Sequence, residues 1–241
     1  EMDIWEANRM ATAFTPHPCT VEGPYRCSGI ACGDGDKGER YLGVCDKDGC
    51  DFNAYRLGAH DHYGRGSDFE IDTKKNITVV TQFLTHNQTD EGDLSEIRRF
   101  YIQDGKVIAH ANSTVPGVRG GSITDEFCSA QKRAFQDPDD HKAKGGLKRM
   151  GEALDRGMVL ALSIWDDGAT QMRWLDSTFP PYDSPNRPGV LRGPCDGSTS
   201  HPHYLRSQHA SATVKYMNLR HGQIGSTTPS ASDRRLGSIL V

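Results

Sequence analysis

No stretch of this sequence is apolar enough for long enough to cross a bilayer. The most apolar run, Met158 to Trp165, spans eight residues and includes Ser163, against the roughly 20 that a spanning helix needs. An excess of charge of one sign is also missing. The formal net charge is -4 over 241 residues, with both signs interleaved. That argues against nucleic acid as the main partner and gives no reason to expect a membrane surface. No two cysteines have the Cys-x2-Cys spacing of a metal knuckle. Internal repeats, an initiator methionine and a signal peptide are absent too.

Glycine and proline, by contrast, are plentiful, with 26 and 12 residues spread along the chain. They suit many short strands joined by turns, and one large all-β domain of this length is ordinary. Five of the seven cysteines lie between Cys19 and Cys50, a density that fits an oxidising compartment. Cys27, Cys32, Cys45 and Cys50 form two pairs spaced five apart. A zinc site stays open on that spacing, although disulfides fit it better. Sequons at Asn76, Asn87 and Asn112 point the same way, to a secreted, extracellular glycoprotein. The odd cysteine and the missing start are expected together if this is one portion of a longer domain.

Local patterns place the elements. Residues 1–8 read as a strand and residues 9–58 as loops stapled by cysteines. Strands are expected at 68–72 and 77–84. A hairpin is expected at 97–103 and 106–110, turning at Asp104-Gly105, a dipeptide that accepts positive φ at both central positions. Residues 124–135 read as a helix capped by Thr124, and 145–156 as a second short helix. The apolar run 158–165 reads as a buried central strand, with further strands at 171–175 and 212–220. Residues 1–225 are expected to form one domain portion, and 226–241 a tail or linker.

Glu1, Asp3 and Glu6 concentrate the chemistry. Alternation places Glu1 and Asp3 on one face of a strand, but Glu6 has the wrong parity. A β-bulge near Ile4-Trp5 would return it to that face. The two glutamates would then lie about 13 Å apart at Cα, from roughly 3.3 Å of rise per paired position. Inward-leaning side chains could bring the carboxyls to about 5–5.5 Å, the separation for a retaining glycosidase. Crowded acids raise at least one pKa, so that one group attacks ionised while another donates a proton.

The residues around this cluster identify it further. Glu1-Met2-Asp3-Ile4-Trp5-Glu6-Ala7-Asn8, followed by Thr15-Pro16-His17-Pro18-Cys19, strongly resembles glycoside hydrolase family 7, the fungal and protist cellulases. The likeness continues through Cys45-Asp46-Lys47-Asp48-Gly49-Cys50-Asp51-Phe52-Asn53, Tyr55-Arg56, Leu162-Ser163-Ile164-Trp165-Asp166-Asp167, Trp174-Leu175-Asp176-Ser177-Thr178 and Ile224-Gly225-Ser226-Thr227. It implies a concanavalin-like β-sandwich, or jelly roll, of two curved antiparallel sheets, the concave one forming a cellulose groove. It implies Glu1 as nucleophile, Glu6 as general acid/base, Asp3 assisting the nucleophile, and His17 beside the acid/base. It implies sugar platforms at Trp174 and Trp165, and sugar-hydroxyl contacts on the leaving-group side at Arg40, Asp48, Asp51, Arg56 and Arg192. It pairs Cys19 with Cys45, Cys27 with Cys32 and Cys50 with Cys128, and leaves the partner of Cys195 in an N-terminal half that this chain lacks.

The same resemblance bears on the mode of attack. Segments 27–40 and 178–195 are long and 130–146 is retained, as in cellobiohydrolases that roof the groove and release cellobiose. Asp36, Gly168 and Ala169 stand where some relatives carry aromatic loop tips, and Phe179 where tyrosine is common, so a roof that opens more readily is expected. The alternatives are an endoglucanase on the same fold, a non-catalytic lectin-like sandwich and a disulfide-rich adhesion domain. Neither of the last two needs Glu1 and Glu6 at bulge spacing. His60-Asp61-His62 and His201-Pro202-His203 fit a metal less well than ordinary loop histidines. The expected chemistry calls for no metal and no cofactor, and for cellulose chains and cello-oligosaccharides as partners of a monomer.

Overall fold

The β-sheets begin at a polar turn. In the computed structural model, which describes residues 1–34 and 39–228, Asn8 Oδ1 accepts from the Met10 and Ala11 amides at 2.8 and 3.1 Å. This Asx-type turn joins β1 (Met2–Ala7) to β2 (Thr12–Pro16), and β3 (Phe52–Asn53) adds antiparallel on the far side of β2. β4 (Tyr63–Gly64) and β5 (Ile71–Asp72) form a short parallel pair. β6 (Thr78–Thr85), β7 (Leu94–Gln103), β8 (Lys106–Ala109) and β9 (Ser122–Ile123) make the largest sheet. Its hairpin turns where expected, with φ of 51° at Asp104 and 73° at Gly105.

Among the described residues, five α-helices follow. They are α1 (Asp125–Phe135), α2 (Asp140–Ala143), α3 (Gly146–Asp155), α4 (Arg173–Asp176) and α5 (Pro202–Gln208). Thr124 caps α1 as expected, its Oγ1 accepting from the Phe127 amide at 3.1 Å.

The core lies between the layers. Phe14 and Phe52 are register partners on β2 and β3. Their rings stack at 5.6 Å, and Phe127 of α1 stacks on Phe52 at 4.9 Å. Ile97 of β7, Leu147 and Met150 complete the same apolar cluster. With Phe14 and Phe52 spent on this face, the alternate residues of β1, β2 and β3 are released to the other.

Three strand expectations fail. Residues 158–165 have no strand partner among the described residues, and Val159, Ile164 and Trp165 are exposed. Apolar content supplied surface to bury, but among the described residues no strand edge pairs with the run. Residues 171–175 turn instead into α4, after Gln171 and Met172 adopt φ of 59° and 57°. Residues 212–220 lack regular structure and are mostly exposed. The expected strand at 68–72 shrinks to Ile71–Asp72. Asp36 and most of the expected tail lie outside the described residues.

Candidate active site

The hairpin β1–β2 carries the acids. Asp3 faces Thr15, whereas Glu6 faces Ala13. Three steps along β1 therefore match two along β2, and one extra residue is accommodated between Asp3 and Glu6. This is the bulge that the parity of the sequence demanded. Glu1 stands opposite His17, joined by the His17 amide to the Glu1 carbonyl at 2.9 Å. Glu1, Asp3 and Glu6 thus share the face of Ala13, Thr15 and His17, opposite Phe14. The ladder extends this row to Asn53, beside Ala13, and to Asp51 two positions earlier.

His17 organises the acids. Its Nε2 lies 2.9 Å from Asp3 Oδ2, and its Nδ1 lies 2.8 Å from the Asp46 carbonyl. Both ring nitrogens face acceptors, which suits the doubly protonated ring. Burial works against that charge, but the Asp3 hydrogen bond and charge, with the Asp46 carbonyl, hold the pKa above its ordinary value. Asp3, expected to assist Glu1, shares the face of Glu1 and pairs with His17. Gly49 lets the loop close in: at φ of +66°, a Cβ there would lie 2.7 Å from His17 Cε1.

Glu6 is the perturbed acid. Burial, then the negative charges of Asp3, Glu1 and Asp51, push its pKa up to about 8, with His17 opposing. A carboxyl that keeps its proton near neutrality has a proton to donate.

Four of the expected sugar-binding residues form ion pairs, Arg40 with Asp48 and Arg56 with Asp51. Asp48 is held by Arg40 and accepts from the Tyr41 hydroxyl at 2.9 Å. Asp51 is held by buried Arg56, whose other nitrogens reach Asp137 at 3.1 Å and the Gly189 carbonyl at 2.9 Å. In both aspartates the arginine overcomes the cost of burial and lowers the pKa. Arg192 lies over the Phe179 ring at 5.3 Å. Burial, with repulsion from Arg56, lowers its pKa to about 10. Trp165 and Trp174 stack on each other at 6.2 Å, and Trp174 Nε1 donates to Asp167 at 3.1 Å. Trp174 also packs on the cluster of Ala11, Ala13 and Leu175, which brings it to the acidic face. Asp167 accepts from the Ala169 and Thr170 amides as well, fixing the turn at Gly168.

Sequence reasoning gave no role to Asp46 or Asn53. Asn53 Nδ2 donates to the carbonyls of Leu175 and Arg192 at 2.8 and 3.0 Å, tying α4 and the segment at Arg192 to the site. Its signal was available, since it follows Asp51 by the strand period of two.

Disulfides join Cys19 to Cys45, Cys27 to Cys32 and Cys50 to Cys128, so the zinc alternative fails. Cys195 is unpaired among the described residues. The two histidine pairs serve the fold. His62 Nδ1 meets Glu70 at 2.6 Å, and His201 caps α5. Among the described residues, no group of three or more His, Cys, Asp or Glu is placed to hold a metal.

Comparison with known proteins agrees with this geometry. The family model "Glycosyl hydrolase family 7" matches residues 1–228. A cellobiohydrolase from Daphnia pulex is 52% identical with a TM-score of 0.85, over 87% of this chain and 47% of its own. A cellobiohydrolase from Melanocarpus albomyces complexed with cellotetraose is 36% identical with a TM-score of 0.76, over 86% of this chain and 46% of its own. Endocellulase EGI of Humicola insolens is 40% identical with a TM-score of 0.70, over 87% and 46%. The chain spans about half the length of the solved structures it matches. Their fold is the β-sandwich jelly roll, and the paired sheets described above are this chain's share of it. With the family model covering all of the described residues, the chain belongs to glycosyl hydrolase family 7.

Proposed function

We propose that these residues form the catalytic centre and leaving-group side of a retaining cellulose hydrolase that releases cellobiose. The bulge between Asp3 and Glu6 carries this reading. It gathers Glu1 and a proton-bearing Glu6 on one face, and a surface that only binds sugar needs neither. In the first step a Glu1 carboxylate oxygen attacks the anomeric carbon. The glycosidic C–O bond breaks as Glu6 gives its proton to the departing oxygen. In the second step water attacks the same carbon, Glu6 takes the water's proton, and the Glu1 ester bond breaks. Glu1's charge is one of the forces that raise Glu6's pKa. Its loss in the ester lowers that pKa and turns the acid into the base the second step needs.

The named cellobiohydrolases among the similar structures support chain-end attack, and the endocellulase keeps internal cleavage as the second reading. Gly168 and Ala169 place no large side chain on the roof, which favours shorter runs along a chain. On insoluble cellulose, the full-length protein is expected to release mainly cellobiose, with a ratio of soluble to insoluble reducing ends below that of a fully roofed relative. A ratio equal to that relative's would contradict the open roof, and a predominance of insoluble ends would favour the endocellulase reading.

The alkaline limb of kcat/KM is expected to follow loss of the Glu6 proton. The His17 charge lowers Glu6's pKa, so His17→Gln removes that pull while Asp3 stays negative. The limb should move to higher pH on a soluble aryl cellobioside, even as the rate at the optimum falls. A limb that stays put or moves to lower pH would detach His17 from Glu6.

A further inference from the structure

Arg99 has no role in the chemistry above, yet it reaches the centre of it. It lies on β7, in the sheet behind the acids, and is 3% exposed. No carboxylate pairs with it among the described residues. Two of its guanidinium nitrogens donate to neutral acceptors instead. Nη2 donates to the Ile4 carbonyl and Nε donates to Thr81 Oγ1 at 3.1 Å. The group lies over the Phe14 ring at 4.4 Å, and burial lowers its pKa. A buried cation without a counter-ion is a poor device for stability, because an apolar side chain of similar volume costs less there.

Ile4 explains its placement. It lies inside the bulge, between the register pairs of Asp3 and Glu6. An extra residue in a bulge leaves backbone groups without a cross-strand partner. The Ile4 carbonyl turns inward and meets a donor from the opposite layer, while the ring under that donor belongs to Phe14 on the paired strand. If the extra residue slipped out, the register would shift by one and Glu6 would turn to the core face.

We propose that Arg99 is a positioning residue for the acid/base, holding the bulge open by binding the Ile4 carbonyl. The inference rests on the assignment of Glu6 as proton donor. Arg99 touches no substrate, so its loss should impair the step that needs Glu6's proton and spare one that does not.

The test compares two substrates in the full-length protein. The leaving group of cellotetraose is a sugar alcohol and needs protonation. That of 2,4-dinitrophenyl cellobioside is the stable dinitrophenolate anion and does not. For Arg99→Met, kcat/KM on cellotetraose is expected to fall about 100-fold, the scale of a misplaced general acid. On the dinitrophenyl substrate it should fall less than about threefold, because leaving-group protonation contributes little there. Arg99→Lys, which keeps one donor, should recover part of the cellotetraose rate. If the methionine variant does not fold, the lysine variant carries the same comparison, with a smaller but still selective loss. Equal losses on both substrates, or no loss on either, would overturn the proposal. A wild-type protein inactive on both would instead remove the hydrolase reading, and the proposal with it.

Discussion

Glu1→Gln is expected to lower kcat on cello-oligosaccharides by at least about 10⁴-fold, the scale on which enzymes lose turnover when a nucleophile is removed. The change is nearly isosteric. Glu1 makes its ladder contacts through the backbone, with its carbonyl accepting from the His17 amide, so the fold should survive. Glu6→Gln should cost less with substrates whose leaving groups need no proton, because only the acid is lost. It should also stabilise the protein. A carboxyl whose pKa rises from 4.5 to about 8 on folding binds its proton more tightly in the native state. Its contribution to stability is complete below about pH 4.5 and is lost as pH rises through about 8. Glutamine never ionises, so Glu6→Gln should unfold at a higher temperature than the parent near pH 8 and show little difference near pH 4. Catalysis here is held against stability, as is common at active sites.

The second large effect concerns the disulfide from Cys50 to Cys128, which closes 78 residues of chain. Replacing both cysteines with alanine is expected to cost about 4–5 kcal/mol, on the loop-closure model for a ring of this size. Both sulfurs are buried in the main core cluster, and Asp51 is the next residue. Gln131, on the same helix as Cys128, donates to the Asp51 carbonyl at 2.6 Å. Loss of the crosslink should therefore disturb the leaving-group side as well as lower the unfolding midpoint in urea. By contrast, removing the Cys27–Cys32 link, with a sequence separation of 5, should cost much less. Equal costs for the two bridges would contradict this reading.

How far the sequence spoke differs from element to element. The bulge was legible because strand parity is arithmetic: Glu1 and Asp3 agree, Glu6 does not, and one inserted residue repairs it. Asp104-Gly105 and Thr124 were legible because each answers a local backbone need. Residues 158–165 were misread because an apolar run states only that it has surface to bury, whereas a strand needs an edge to pair with. The α4 turn was missed because two non-glycine residues adopt positive φ before it, which local pattern does not favour. Arg99 was invisible for a different reason. Its bond to Ile4 spans 95 residues, and nothing in the local pattern of β7 marks it apart from Arg98 beside it. The resemblance gave Asp3 a part beside Glu1, and the structure adds its contact with His17, which joins residues on two strands and leaves no local mark in the sequence.

The central claim is that Glu1 attacks and Glu6 delivers the proton across a bulged strand. Its most direct measurement is to trap the intermediate. The full-length protein would be incubated with a 2-deoxy-2-fluoro cellobioside carrying an activated leaving group, digested, and its peptides weighed. One fluorocellobiosyl unit is expected on the peptide containing Glu1, bound to that residue, and none on Glu6. A label on Glu6, or a fully active protein that takes up no label, would contradict the account.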